Sequence, residues 1–82
     1  MNADTGTITV RLFAGLESRS ESGRTRVDLP LAEARTVAAA IAAVGLPRDV
    51  AALILVNGVH SARDAALAAG DELSLFPPLG GG

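Results

Sequence analysis

Only one segment of this 82-residue chain has the periodicity of an α-helix. In TVAAAIAAVG the apolar positions that recur every three or four residues, on one helical face, are Val37, Ala40, Ile41 and Val44. Thr36 is placed to cap the start of this helix, and Gly45 follows its last periodic residue, where helices commonly end. Because one short helix cannot enclose a core, it must pack against a sheet formed by the rest of the chain.

The first third of the chain alternates between apolar and polar residues, as half-buried strands do. The inward positions predicted for two strands are Ile8, Val10 and Leu12 in TITVRLF, and Val27 and Leu29 in RTRVDL. Pro30 closes the second strand because proline cannot donate to a strand ladder. The intervening loop, Ala14–Gly23, is rich in Ser, Glu and Gly, and its length suggests an antiparallel hairpin.

The second half of the chain predicts three further strands. Asn57-Gly58, between LILV and VHS, favours a type I′ hairpin because both central residues of that turn need positive φ. ELSLF forms the last strand, with Leu73 and Leu75 inward. The resulting β-β-α-β-β-β order predicts an α+β fold, with one helix on one face of a mixed sheet. We assign three parts: a flexible N-terminus (1–7), a single domain (8–76) and an extended C-terminal tail (77–82).

Composition excludes several classes of function. The chain has no cysteine and a single histidine, His60, so neither a thiolate site nor a multi-histidine metal site is available. A net charge of −2, without a basic stripe or an aromatic platform, argues against nucleic-acid binding. The N-terminus lacks the pattern of a signal peptide, and the apolar runs are too short to span a membrane. We therefore expect a soluble, cytoplasmic protein.

The tail FPPLGGG combines a stiff base with a slim tip. Pro77 and Pro78 fix their own φ angles and lack N–H donors, so they hold the end of the chain away from the domain. Gly80, Gly81 and Gly82 have no side chains and can thread a narrow channel. A terminal carboxylate reacts only once activated, for example as a mixed anhydride with AMP, and the nearby sequence offers no nucleophile or base. A disordered end is the plain alternative, but the proline spacer favours a terminus that serves as another enzyme's substrate.

The two phenylalanines are the only aromatic residues of the chain. Strand alternation directs Phe13 and Phe76 away from the predicted core face, although a small domain is short of core volume. Either the rings fold over an edge of the sheet and cover the core, or they form an apolar patch for a partner. We favour the partner patch because both rings lie at the C-terminal ends of their strands, on the face opposite the predicted core.

Four segments together resemble the MoaD/ThiS family of ubiquitin-like sulfur carriers. They are ITVRLFAGL near the N-terminus, TVAAAI at the helix start, VNG at Val56–Gly58, and AGDELSLFPPLGGG at Ala69–Gly82. The resemblance extends from Ile8 to Gly82 and is most specific in the FPP and Gly-Gly ending. FPP and the long first loop fit the branch containing the small subunit of molybdopterin synthase.

The resemblance implies a β-grasp fold with no enzymatic activity of its own and no bound cofactor or metal. It implies that an E1-like (MoeB/ThiF-like) enzyme adenylates Gly82 with ATP and Mg²⁺, after which the carboxylate becomes a thiocarboxylate. In molybdopterin synthase the tail inserts into a large (MoaE-like) subunit, and the sulfur passes to precursor Z during molybdenum cofactor synthesis. The residues that carry these roles by resemblance are Gly82 for sulfur, Gly80 and Gly81 for threading, and Phe13, Phe76, Pro77, Pro78 and His60 for docking.

Some features leave alternatives open. His60 occupies a position where the family usually has an apolar docking residue, and a lone histidine there is commonly a solvated strand residue. The triple-glycine ending also occurs in thiamine-pathway carriers. A carrier for thiamine, cysteine or another sulfur-containing metabolite therefore remains an alternative, as do a ubiquitin-like modifier of protein lysines and an interaction module with an inert tail.

Overall fold

The computed structural model describes residues 6–78, which contain one mixed five-stranded sheet and one α-helix. The strands are β1 (Thr7–Leu12), β2 (Arg26–Pro30), β3 (Leu53–Val56), β4 (Val59–His60) and β5 (Glu72–Phe76). The helix is α1 (Val37–Ala43), and two short 3₁₀ turns, Leu16–Arg19 and Leu31–Glu33, lie in the connections. This order confirms the predicted β-β-α-β-β-β arrangement.

The strand order in the sheet is β2-β1-β5-β3-β4. β1 and β5 run parallel, whereas the other three neighbouring pairs are antiparallel. The last strand therefore lies in the centre of the sheet rather than at its edge. Because β1 and β5 end at the same side of the sheet, the chain leaves β5 beside the loop that follows β1.

The core lies between α1 and one face of the sheet. Val10, Leu73 and Leu75 are fully buried on the sheet side, and Val37 and Ala40 are fully buried on the helix side. This burial confirms the inward positions predicted from strand alternation and from helical periodicity. The small alanine side chains of α1 let its backbone approach the sheet closely, as the complete burial of Ala40 shows.

The ends of the first hairpin differ slightly from the sequence expectation. β1 begins at Thr7, within the segment assigned to the N-terminus, and the Gly6 carbonyl accepts a hydrogen bond from the Leu31 N–H at 3.0 Å. β2 begins at Arg26, two positions after the start of RTRVDL, and includes Pro30. Proline is tolerated there because β2 is an edge strand and no further strand needs its missing N–H.

α1 begins and ends as its sequence predicts. The Thr36 hydroxyl accepts a hydrogen bond from the Ala39 N–H at 3.1 Å, which satisfies one of the unpaired donors of the first turn. Gly45 follows the C-cap with φ of 76°, a left-handed conformation that glycine adopts without a Cβ penalty. Glu21 Cβ lies 2.6 Å from the position that a Cβ on Gly45 would take. The close approach of the loop between β1 and β2 therefore also requires a glycine at position 45.

We expect Thr36→Ala to lower the free energy of unfolding by about 1 kcal/mol, because it removes this capping acceptor. Urea denaturation followed by circular dichroism measures the change. Thr25→Ala is the matched control, since Thr25 is exposed and its hydroxyl has no hydrogen-bond partner within residues 6–78. Equal stability of the Thr36→Ala variant and the wild type would contradict the assigned cap.

A polar network joins the Asn57-Gly58 turn to the start of β5. Asn57 and Gly58 have φ of 52° and 83°, which confirms the predicted positive-φ turn. The Asn57 amide donates to Asp71 at 2.9 Å and accepts from the Glu72 N–H at 2.9 Å. The second oxygen of Asp71 accepts from the Ala68 N–H at 2.8 Å. Asn57-Gly58 and Asp71-Glu72 thus belong to one hydrogen-bond network, which holds the β3–β4 turn against the start of β5.

Candidate functional site

The sheet face opposite α1 is apolar around Phe76, β3 and β4, and it is charged towards β1. Since Leu73 and Leu75 point into the core, Glu72, Ser74 and Phe76 of β5 lie on the open face. Directly paired residues share a face, and the pairing is Leu53 with Phe76, and Leu55 with both Ser74 and His60. We call this apolar side of the open face the docking face, after the role that the sequence analysis predicts for Phe13, Phe76 and His60; its members are Phe13, Leu53, Leu55, His60 and Phe76.

The two phenylalanine rings form the centre of the docking face. Their centroids are 4.6 Å apart with an interplanar angle of 9°, a stacked arrangement. The parallel pairing of β1 with β5 brings them together, and the Phe13 N–H donates to the Leu75 carbonyl at 3.1 Å. Each ring covers part of the other, so both are half-buried rather than fully exposed. The stacked rings present one continuous apolar surface and not two separate side chains.

Charged residues border the aromatic pair. The Arg11 guanidinium lies 5.3 Å from the centroid of the Phe13 ring, within the range of a cation–π contact. Arg11 also forms an ion pair with Glu72 at 3.7 Å, and both side chains are about half exposed. Such exposed pairs contribute little to stability. Their effect is to give the docking face a polar rim on the β1 side, a common feature of protein–protein interfaces.

The tail leaves the sheet at the base of the docking face. The Phe76 carbonyl accepts a hydrogen bond from the Ala52 N–H at 2.8 Å, the last backbone bond of β5. Pro77 and Pro78 have no N–H, so strand pairing ends there. Beside them a shallow groove of about 390 Å³ lies between the loop after β1 and the segment before β3. The lining of this groove includes Gly15, Leu16, Arg19, Asp49 and Val50.

The structure brings together most of the residues that the sequence singles out. Phe13 and Phe76 are in contact, Pro77 and Pro78 follow directly, and His60 is exposed on the same face, opposite Leu55. The predicted sulfur-bearing and threading residues, Gly80, Gly81 and Gly82, lie outside the described residues.

Sequence reasoning missed two members of the docking face. Leu53 and Leu55 are half-buried on the open side of β3, next to Phe76 and His60. The uninterrupted apolar run LILV carries the signal, because a strand with apolar residues at every position has two apolar faces. One face of β3 enters the core through Ile54, and the other extends the aromatic patch.

The described part of the chain shows no resident metal site. Within residues 6–78 no three His, Asp or Glu side chains form a group that can hold an ion. None of the helices in the same range is long and apolar enough to cross a membrane.

The chain is similar to several solved structures and to one family model. The model of the ThiS family matches residues 10–82. The Haloferax volcanii protein SAMP1 is 33% identical with a TM-score of 0.70, over 94% of this chain and 100% of that one. A crystal structure of small archaeal modifier protein 1 from H. volcanii gives 30% identity and a TM-score of 0.68, over 90% of this chain and 99% of that one.

A Pyrococcus furiosus protein, a candidate subunit 1 of a molybdopterin converting factor, is 22% identical. Its TM-score is 0.70, with 92% of this chain and 100% of that chain covered. At this identity the likeness concerns the fold alone. A search of curated protein sequences gives no significant match.

Fold and comparisons together define a ubiquitin-like protein of the β-grasp class, with a mixed sheet, one helix and an aromatic pair at the base of its tail. The chain belongs to the ThiS family, because the family model spans nearly its whole length. The family comprises small ubiquitin-like sulfur carriers and modifiers, which as a rule are not enzymes themselves.

Proposed function

We propose that this protein is a sulfur carrier whose C-terminal Gly82 is activated and converted to a thiocarboxylate by partner enzymes. The observation that carries the proposal is the extent of the family match, which continues to residue 82 and includes the glycine tip. The docking face supports it, since Phe76 of the aromatic stack immediately precedes the stiff Pro77-Pro78 spacer. A partner that binds the face thereby receives the tail in a defined direction.

The reaction consists of an adenylyl transfer to the terminal carboxylate, followed by an acyl transfer at its carbonyl carbon. First, a carboxylate oxygen of Gly82 attacks the α-phosphorus of ATP, so that pyrophosphate leaves and an acyl adenylate forms. A hydrosulfide ion supplied by the sulfur source of the partner system then attacks the carbonyl carbon, AMP leaves, and the thiocarboxylate remains. ATP and Mg²⁺ belong to the E1-like partner. This chain contributes recognition through the docking face and delivery through the glycine tip.

For the acceptor we propose precursor Z, with this protein as the small subunit of a molybdopterin synthase. FPP at the base of the tail and the long loop after β1 support this branch of the family. In that arrangement the large subunit supplies the catalytic residues and receives the tail. The proposal places the protein in the cytoplasm, where its activating enzyme and acceptor operate.

Protein modification is a second candidate function, favoured by a specific observation. The Haloferax volcanii crystal structure that is 30% identical to this chain is that of a small archaeal modifier protein. A modifier uses the same activated terminus but transfers the acyl group to a lysine amine of another protein. This chain contains no lysine, so it cannot form isopeptide-linked chains on its own side chains.

Intact-mass spectrometry distinguishes the functions directly. After incubation with ATP, Mg²⁺, a cognate activating enzyme and a sulfur source, we expect the replacement of one oxygen by sulfur. Unchanged mass, with an enzyme shown to be active on another carrier, would overturn the carrier proposal. Denaturation-resistant conjugates of higher mass, dependent on Gly82, would instead support the modifier function.

A further inference from the structure

β2 forms an open edge of the sheet, and its pairing with β1 fixes which of its backbone groups face that edge. The Leu12 N–H donates to the Thr25 carbonyl at 2.8 Å. Hydrogen-bonded and non-bonded pairs alternate in an antiparallel ladder, so Val27 also bonds to β1. The N–H and C=O groups of Arg26 and Asp28 consequently point away from the sheet, where no other strand of residues 6–78 meets them.

The side chains along this edge are complementary to those of the same edge in a second copy of the chain. Arg26 and Asp28 lie on the open face, carry opposite charges and are 68% and 59% exposed, with 3.6 Å between Nε and Oδ1. Val27 points to the helix side and is half-buried. It borders a groove of about 180 Å³ whose other walls include Ala43 and Val44. The edge thus offers unpaired backbone groups, a charge pattern and an apolar contact at the same place.

We propose that β2 pairs with β2 of a second copy of this chain, antiparallel, with the two-fold axis at Val27. In this register Arg26 of each copy lies opposite Asp28 of the other, so the outward N–H and C=O groups of the two residues bond reciprocally. The charged side chains pair across the same positions. The two Val27 side chains meet at the axis on the helix side, each above the groove of the other copy.

The charge pattern selects this register over its neighbours. Centring the pair on Arg26 or on Asp28 places two like charges directly opposite each other at the axis, which is unfavourable. A shift by one residue aligns outward-facing groups with groups that already bond to β1. Pro30 lacks an N–H, and because of the two-fold symmetry the Pro30 residues of the two copies end the pairing on both sides of Val27. The contact is isologous and uses both β2 edges, so it closes as a dimer.

This contact leaves the reactive end of the molecule accessible. β1 separates β2 from β5, and the docking face is centred on β5 and β3. The dimer extends one sheet across two copies, so that each copy keeps its own tail and docking face. A self-associated carrier therefore presents two tails to its partners.

Sedimentation equilibrium over a wide concentration range tests the proposal, together with NMR hydrogen exchange. We expect a monomer–dimer equilibrium, with protection of the Arg26 and Asp28 amides that increases with protein concentration. R26D and D28R should each weaken dimerisation about tenfold or more, because two cross-strand pairs change from attractive to repulsive. The double swap R26D/D28R restores complementarity and should return the dimerisation constant to within about threefold of the wild type.

Any of the following results would overturn the proposal. A protein that stays monomeric throughout, or a dimer in which the two amides stay unprotected, excludes pairing through β2. A dimer that both single variants leave unchanged but Phe76→Ala abolishes assigns the contact to the docking face instead. The Arg26–Asp28 ion pair and the hydrogen bond from the Thr9 hydroxyl to Asp28 are both exposed, so losing them should change the stability of the monomer little. Thermal unfolding of the single variants should therefore match the wild type at concentrations where the wild type is monomeric. Recovery of dimerisation in the double swap gives an internal control for folding.

Discussion

Removal of Gly82, or addition of one alanine after it, is expected to abolish formation of the thiocarboxylate. One residue changes the reach of the tail by about 3.3–3.6 Å. Acyl transfer requires reacting atoms at a separation of about 3–3.5 Å, and a displacement of about 1 Å already costs on the order of 100-fold in rate. We therefore expect at least that loss, measured as the fraction of sulfur-loaded protein in a timed intact-mass assay.

A matched control separates the position of the terminus from the length of the chain. One alanine added before Met1 changes the mass identically and leaves the C-terminus intact, so this variant should be loaded at the wild-type rate. The circular dichroism spectrum and unfolding midpoint should be unchanged in all three variants, because Leu73 and Leu75 of β5 keep their core contacts. Wild-type loading of the C-terminally extended variant would show that Gly82 is not the site of activation.

Phe76→Ala is expected to weaken binding to the activating enzyme about 30-fold or more, equivalent to about 2 kcal/mol, as loss of an aromatic anchor typically does. The variant removes half of the stacked pair and leaves Phe13 without its neighbour. Titration calorimetry or fluorescence anisotropy with the cognate enzyme measures the dissociation constant. In steady-state loading assays, the loss should appear mainly as a higher KM for this protein.

Ile41→Val distinguishes weakened docking from lowered stability. Ile41 is buried in α1 on the other side of the sheet, and loss of its methylene should lower the free energy of unfolding by about 0.5–1.5 kcal/mol. This variant should bind the enzyme as the wild type does. Equal affinity loss in both variants would attribute the Phe76 effect to stability, and unchanged affinity of Phe76→Ala would remove the aromatic pair from the interface.

Local signals in the sequence are sufficient to predict the five strands and the α-helix of this fold, though not its two 3₁₀ turns. The alternation around Val10 and the helical period ending before Gly45 each depend on neighbours a few residues away. The same is true of the Asn57-Gly58 turn, where positive φ is a property of the dipeptide itself. All three predictions are confirmed because burial, capping and turn geometry favour the same local structure.

Pairing between distant strands is less accessible to such reasoning. Alternation predicts that Phe13 and Phe76 share a face, but the 4.6 Å stack exists only because β5 lies beside β1 in parallel. No local pattern encodes that neighbour relation across some sixty residues of chain. For the same reason Leu53 and Leu55 were not predicted on the docking face, since only the register with β5 and β4 places them there.

The state of the C-terminus in cells tests the central claim most directly. Arg63 is the last basic residue, so trypsin releases residues 64–82 as one C-terminal peptide. Tandem mass spectrometry of this peptide, from protein isolated under conditions that preserve thioacids, should locate one sulfur atom in place of oxygen on Gly82. Recovery of the peptide only as a free carboxylate, or linked to a lysine of another protein, would contradict the assignment as a sulfur carrier.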